Sequence, residues 1–78
     1  MKLTSLLTKR QAEIFKLTAQ GYSQKEIAKT LKVSASNVSN VLHKVYDKLE
    51  ARNVVEAIRE SMLHGLLSVD DLVKEDRG

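Results

Sequence analysis

A chain of 78 residues with no cysteine is one small domain, and disulfide staples and thiolate metal sites are both excluded. No proline, three glycines, 42% hydrophobic residues and 4% aromatic residues describe a compact helical chain, not a disordered tail or a Gly/Pro-punctuated β-sandwich. The net charge of +3 is unevenly spread: nine Lys/Arg against Glu13, Glu26 and Asp47 give +6 over residues 1–48, and four against seven acids give −3 over residues 49–78. Such a split points to a polyanion at the front and a different contact at the back. No apolar run reaches the length of a membrane span, and Leu3 to Leu7, broken by Thr4 and Ser5, is too short for a signal-peptide core. A cytoplasmic protein with no membrane partner is expected.

Helix punctuation then divides the chain. Thr8 precedes Ala12, Ile14, Phe15, Leu17 and Ala19, and Gly21 follows as a stop, which predicts a helix over about 9–20. Ser23 stands three residues before Glu26, the spacing of a capping box, so a second helix covers about 24–31 with Ile27, Ala28 and Leu31 inward. Lys32 and Val33 form a tight turn, and Ser34 caps the next helix. In that helix, about 35–49, Val38, Val41, Leu42, Val45 and Leu49 make one apolar stripe at helical period. Its other face reads Ser36, Asn37, Ser39, Asn40, His43, Lys44, Asp47 and Lys48. Asn53 and Glu56 repeat the capping-box spacing before a fourth helix over about 54–64, which Gly65 ends. Residues 1–67 are therefore one all-α domain. Residues 68–78 are a short, amphipathic, acidic extension in which Ser68 and Asp71 can cap a further turn or short fifth helix and residues 74–78 fray.

Two short helices joined by a turn of three or four residues, with small Ala28 at the crossing, have the geometry of a helix-turn-helix. A plain αα-hairpin needs the same packing residues. It does not need a Ser/Asn-rich first turn followed by lysines on the second helix, since Ser and Asn are mediocre helix formers. The pattern therefore favours the second helix lying in a DNA major groove.

The run Leu7-Thr8-Lys9-Arg10-Gln11, then Gly21-Tyr22-Ser23-Gln24-Lys25-Glu26-Ile27-Ala28, Leu31-Lys32-Val33-Ser34, Val38, Lys48-Leu49, Ala51-Arg52-Asn53 and Glu56-Ala57 resembles the LuxR/GerE-type DNA-binding domain. The resemblance covers about residues 6–67. It implies a four-helix fold whose third helix reads the major groove and whose fourth commonly mediates dimerisation. A chain of this length offers no room for a sensor domain, so a resemblance to the stand-alone, GerE-like members is expected. Two departures stand out. The family's Thr-Val-Lys-x-His is Asn37-Val38-Ser39-Asn40-Val41 here, and its Arg-Glu pair in helix one is Arg10-Gln11. Gln24 with Asn37-Val38-Ser39 is also similar to Tfx-type and sigma-factor-like helix-turn-helix proteins.

The resemblance places Ser39, Asn40 and His43 at base-facing positions. Asn40 can pair bidentately with adenine, Ser39 discriminates weakly, and His43 can donate to guanine or phosphate, with Asp47 one turn on to favour its charged form. Placement at helix starts and along a basic flank makes Ser23, Lys25, Ser36, Asn37, Lys44 and Lys48 the phosphate-contacting candidates. Lys9, Arg10, Lys29, Lys32 and Tyr22 are weaker ones. Val54, Val55, Ile58, Met62 and Leu66 cannot all face one core, so Val54, Val55, Ile58 and Met62 are the expected homodimer surface. No enzyme is expected, because His43 and His64 lie on different helices and no Gly-rich phosphate loop occurs. Nor is a metal, cofactor or small-molecule ligand. The remaining alternative is a small helical adaptor that binds RNA polymerase or another regulator through its acidic end.

Overall fold

In the computed structural model, which describes residues 6–73, four α-helices follow one another: α1 (Lys9–Ala19), α2 (Gln24–Leu31), α3 (Ala35–Lys48) and α4 (Val54–Leu63). A 3-10 turn, Val69–Leu72, follows α4, and there is no strand among the described residues. The fold is all-α, as the hydrophobic periodicity predicts. Residues 74–78, where fraying is expected, lie outside the described residues, as do residues 1–5.

Each helix begins where a side chain can satisfy an orphan N–H group. Thr8 and Gln11 cap α1 reciprocally: the Gln11 N–H donates to Thr8 Oγ1 at 3.1 Å, and the Thr8 N–H donates to Gln11 Oε1 at 3.0 Å. Ser23 and Glu26 do the same for α2, at 3.1 and 2.8 Å. Ser34 Oγ accepts the Asn37 N–H at 3.0 Å and starts α3. At α4 only half of the expected box forms. Asn53 Oδ1 accepts the Glu56 N–H at 2.9 Å, but the Glu56 carboxylate takes the N–H and guanidinium of Arg52 instead, at 2.9 and 2.8 Å. A charge-assisted bond to Arg outcompetes a neutral amide N–H for that carboxylate.

The stops are as local. Gly21 sits at φ +99°, a backbone state that a Cβ disfavours. Lys32 takes φ 59° and ψ 45° at the end of α2, so this turn reverses the chain through a left-handed residue without a glycine.

The core is drawn from all four helices. Ile14 and Phe15 of α1, Ile27 and Ala28 of α2, Val38, Leu42 and Val45 of α3, and Ala57 of α4 are buried, with Leu7 and Leu67 closing the ends. The buried residues of α3 fall at i, i+4 and i+7, so its opposite face is left to solvent. Both α1 and α2 pack on α3. The chain after α4 folds back on α1: Asp71 Oδ1 lies 3.5 Å from Lys16 Nζ, and Leu72 packs at the edge of the core while Val69 and Val73 stay exposed.

Candidate nucleic-acid interface

The turn between α2 and α3 is three residues long, Lys32 to Ser34, and Ala28 is buried on the inner side of α2. A small side chain there lets the two helices approach closely. The Val33 N–H closes the turn on the Ala28 carbonyl at 3.0 Å. Half-buried Leu31, Val33 and Val41 pack against the core from the two sides of the turn and set the angle between the helices.

On α3 the polar face resolves into a centre and two flanks. Asn40 and Asp47 are exposed near its centre, and exposed Asn37, Lys44 and Lys48 follow one flank at i, i+7 and i+11. The other flank carries Ser39 and His43, one turn apart, with Tyr46 beyond them. Asn40 and His43 are exposed, whereas Ser39 is half-buried, so Ser39 offers a hydroxyl at the margin of the face. Ser36 is exposed in the first turn. The three residues that the resemblance places at base-facing positions thus lie within residues 39–43, in the middle of α3, from the margin of its exposed face towards the centre.

His43 makes a contact that its neighbours in sequence did not suggest. No ion pair joins it to Asp47 among the described residues; its ring instead meets Tyr46 edge-on, with centroids 6.4 Å apart and planes at 68°. Tyr46 is half-buried and packs against the core, and burial pushes its phenol above the ordinary value. The spacing i, i+3 on a helix was the available signal for this pair.

The basic candidates differ in what already holds them. Lys48 Nζ donates to Gln11 Oε1 at 2.8 Å and so braces the end of α3 against the start of α1. Gln11, which sequence reasoning treated only as a departure from Arg-Glu, accepts from Lys48 and from the Thr8 N–H with one oxygen. Its position three residues after Thr8 was a legible capping signal. Lys44 is exposed and forms no ion pair or side-chain hydrogen bond among the described residues. Ser23 is exposed but its oxygen accepts the Glu26 N–H, which leaves its hydroxyl proton for a further acceptor. Lys25 is exposed in the first turn of α2.

On α4, Ala57 and Ser61 face the core, Ile58 and Met62 are half-buried against it, and Val54 is half-exposed one turn before Ile58. Val55 is 71% exposed and Leu63 73%. The four expected interface residues therefore grade from the core edge outwards, Ile58 and Met62 inside and Val55 outermost. His64 lies after α4, with Nε2 3.7 Å from Glu60 Oε1, far in sequence and on a different element from His43. No helix among the described residues is long and apolar enough to cross a membrane.

Four helices around one core, with a short turn between two of them and a polar, basic face on the second, define a helix-turn-helix domain. The comparison with known families gives the narrower placement: residues 5–61 match the bacterial regulatory proteins of the luxR family, and the chain belongs to that family. It is a DNA-binding, transcription-regulating type of domain. The chain is similar to the transcriptional regulatory protein DesR of Bacillus subtilis, 39% identical over 59 residues, covering 76% of this chain and 30% of DesR. It is also similar to the transcriptional regulatory protein YdfI of Bacillus subtilis, 35% identical over 65 residues, 83% of this chain and 30% of YdfI. Against the response regulator protein VraR of Staphylococcus aureus it is 37% identical over 70 residues, 85% of this chain and 32% of VraR. The chain thus spans about a third of the length of these curated relatives.

Proposed function

We propose that the chain binds double-stranded DNA sequence-specifically, with α3 in the major groove and two copies on one site, to regulate transcription in the bacterial cytoplasm. The observation that carries this reading is the exposed face of α3. Its core-facing stripe would serve any helical hairpin, but Ser36, Asn37, Asn40, His43 and Lys44 project from the other side with only one acid, Asp47, among them. Short hydrogen-bonding side chains let a helix sit close to base edges, and flanking lysines meet the phosphates on either side.

In this reading Asn40 pairs with an adenine, His43 donates to a guanine or phosphate, and Ser39 makes a marginal contact. Lys25, Ser23, Ser36, Asn37 and Lys44 hold the phosphates, helped by the starts of α2 and α3. Lys48 joins them by exchanging its bond to Gln11 for a phosphate. The Val54, Val55, Ile58 and Met62 surface pairs two copies, which sets two α3 helices roughly one turn of DNA apart.

The test is binding to duplex DNA across salt. Affinity should fall steeply between about 50 and 200 mM salt, since each neutralised phosphate contributes a slope of about −0.9. No complex at about 50 mM salt would remove the reading. Selection of sites from random duplexes then reports the target and its symmetry. Asn40→Ala should flatten preference at one base pair, by about 1–3 kcal/mol, while leaving binding to unrelated duplex unchanged; an equal loss on both would make Asn40 a backbone contact.

A contact to RNA polymerase is a second reading, favoured by one feature. Val69 and Val73 are 66% and 61% exposed beside exposed Asp70, at the end of the chain opposite in charge to α3. Co-sedimentation with purified polymerase, and its loss in Val69→Ser, would support it.

A further inference from the structure

The edge-on contact between His43 and Tyr46 lies at the border of the exposed face of α3, where His43 is open to solvent. An exposed imidazole on a helix ordinarily samples several rotamers, and a base contact must first freeze one of them. Tyr46 changes that. It is half-buried and packed against the core, so its ring is a fixed wall. Helical side chains lean toward the N-terminus, so the Tyr46 ring, one turn on, closes the C-terminal side of His43. The imidazole is left to lean over the preceding turn, where Ser39 and Asn40 stand. Asp47, the other group one turn away, does not pair with it.

We infer that Tyr46 is a positioning residue for base recognition: its half-buried ring holds the His43 imidazole toward Ser39 and Asn40, so that a base pair read by His43 depends on a residue that does not touch DNA. The inference rests on the major-groove reading of α3 and on His43 as a base contact. It adds a specificity determinant on the side of the helix that faces the core. Edge-to-face pairs have the strength to bias a rotamer about 2- to 10-fold, and that is the loss of discrimination expected on removing the ring.

The experiment uses the full chain and a site selected by the wild type from random duplexes. His43→Ala should flatten preference at one base pair of the half-site. Tyr46→Leu, which keeps an apolar side chain against the core, should flatten the same base pair, while Tyr46→Phe keeps the wild-type profile because the ring and not the hydroxyl is at work. The double variant His43→Ala with Tyr46→Leu should be no worse than His43→Ala. Affinity for unrelated duplex and the salt slope should stay at wild-type values in Tyr46→Leu and Tyr46→Phe, which a merely structural role for Tyr46 would not predict. A wild-type profile for Tyr46→Leu, an additive double variant, or an equal loss on selected and unrelated duplex overturns the inference. If His43→Ala leaves the profile unchanged while the wild type still binds its site, the inference and the base-reading role of His43 fall together, and the DNA-binding reading stands. A readout without variants guards against a Tyr46→Leu protein that does not fold: ring-current-shifted His43 protons in the wild-type NMR spectrum support the contact, and random-coil shifts overturn it.

Discussion

Among the described residues Ser61 is the one fully buried polar side chain, and its hydroxyl has no hydrogen-bond partner there. Its carbonyl is well used, accepting the Leu66 and Leu67 N–H groups at 2.7 and 3.1 Å, so the backbone at this place is secure and only the side chain is orphaned. A buried hydroxyl without a partner costs about 1–3 kcal/mol, and alanine fills nearly the same space. Ser61→Ala should therefore raise the unfolding free energy by about 1 kcal/mol, which for a domain of this size is about 4–8 °C in Tm. Thermal unfolding followed by circular dichroism measures it, and a fall in Tm would mean that the hydroxyl has found a partner. Gln11 shows the opposite economy. One neutral oxygen serves the cap of α1 and the ammonium of Lys48, joining two helices that are far apart in sequence.

Two ends of elements depend on ionised carboxylates. At the start of α4, the Arg52 guanidinium and then the Arg52 backbone N–H donate to Glu56 and hold its carboxyl below the ordinary value. In the 3-10 turn, the Ser68 N–H donates to Asp71 at 2.9 Å and does the same, with smaller help from the Ser68 hydroxyl and Lys16 against the opposing push of burial. A carboxyl whose folded value lies below its unfolded one stabilises the fold fully above the unfolded value, and that stability is lost as pH falls through the folded value. Unfolding free energy should accordingly be flat from neutrality down to about pH 5 and decline below about pH 4, where free carboxylates begin to protonate. The pair of changes Glu56→Gln and Asp71→Asn should make that decline shallower; an unchanged pH profile would assign it to other acids. Hydrogen exchange should show the 3-10 turn and the first turn of α4 loosening first.

For the molecule as a whole, the sorting of surfaces matters most. One face of α3 is buried by α1 and α2 and the other is free, while α4 lies on the core with Val55 and Leu63 turned outward. If α4 joins two copies, Val55→Asp should separate them at little cost to the monomer, because a residue 71% exposed contributes little to its own core. Sedimentation velocity, with footprinting on a selected site, reads the outcome: two half-sites occupied by the wild type and one by the variant. A persisting dimer with unchanged Tm would move the interface elsewhere. The same change at Ile58 is a poorer test, since that side chain already packs against the core.

The elements of this chain are legible in sequence because their causes are local. A Ser, Thr or Asn three residues before a partner marks each start, Gly21 forces a left-handed stop, and the spacing of Val38, Leu42 and Val45 declares which side of α3 is buried. Family membership is legible for the same reason, being carried by those joint spacings. The pairings between side chains were not. That Lys48 reaches Gln11 and that Ser61 is left alone in the core depend on which groups the packed helices bring together. Glu56 takes Arg52 over the Asn53 N–H, and His43 meets Tyr46 rather than Asp47, in local choices that helical spacing offers but does not decide. Hydrogen bonds and ring contacts are short-ranged competitions among neighbours. Their winners are settled only when the helices have docked and water has been displaced.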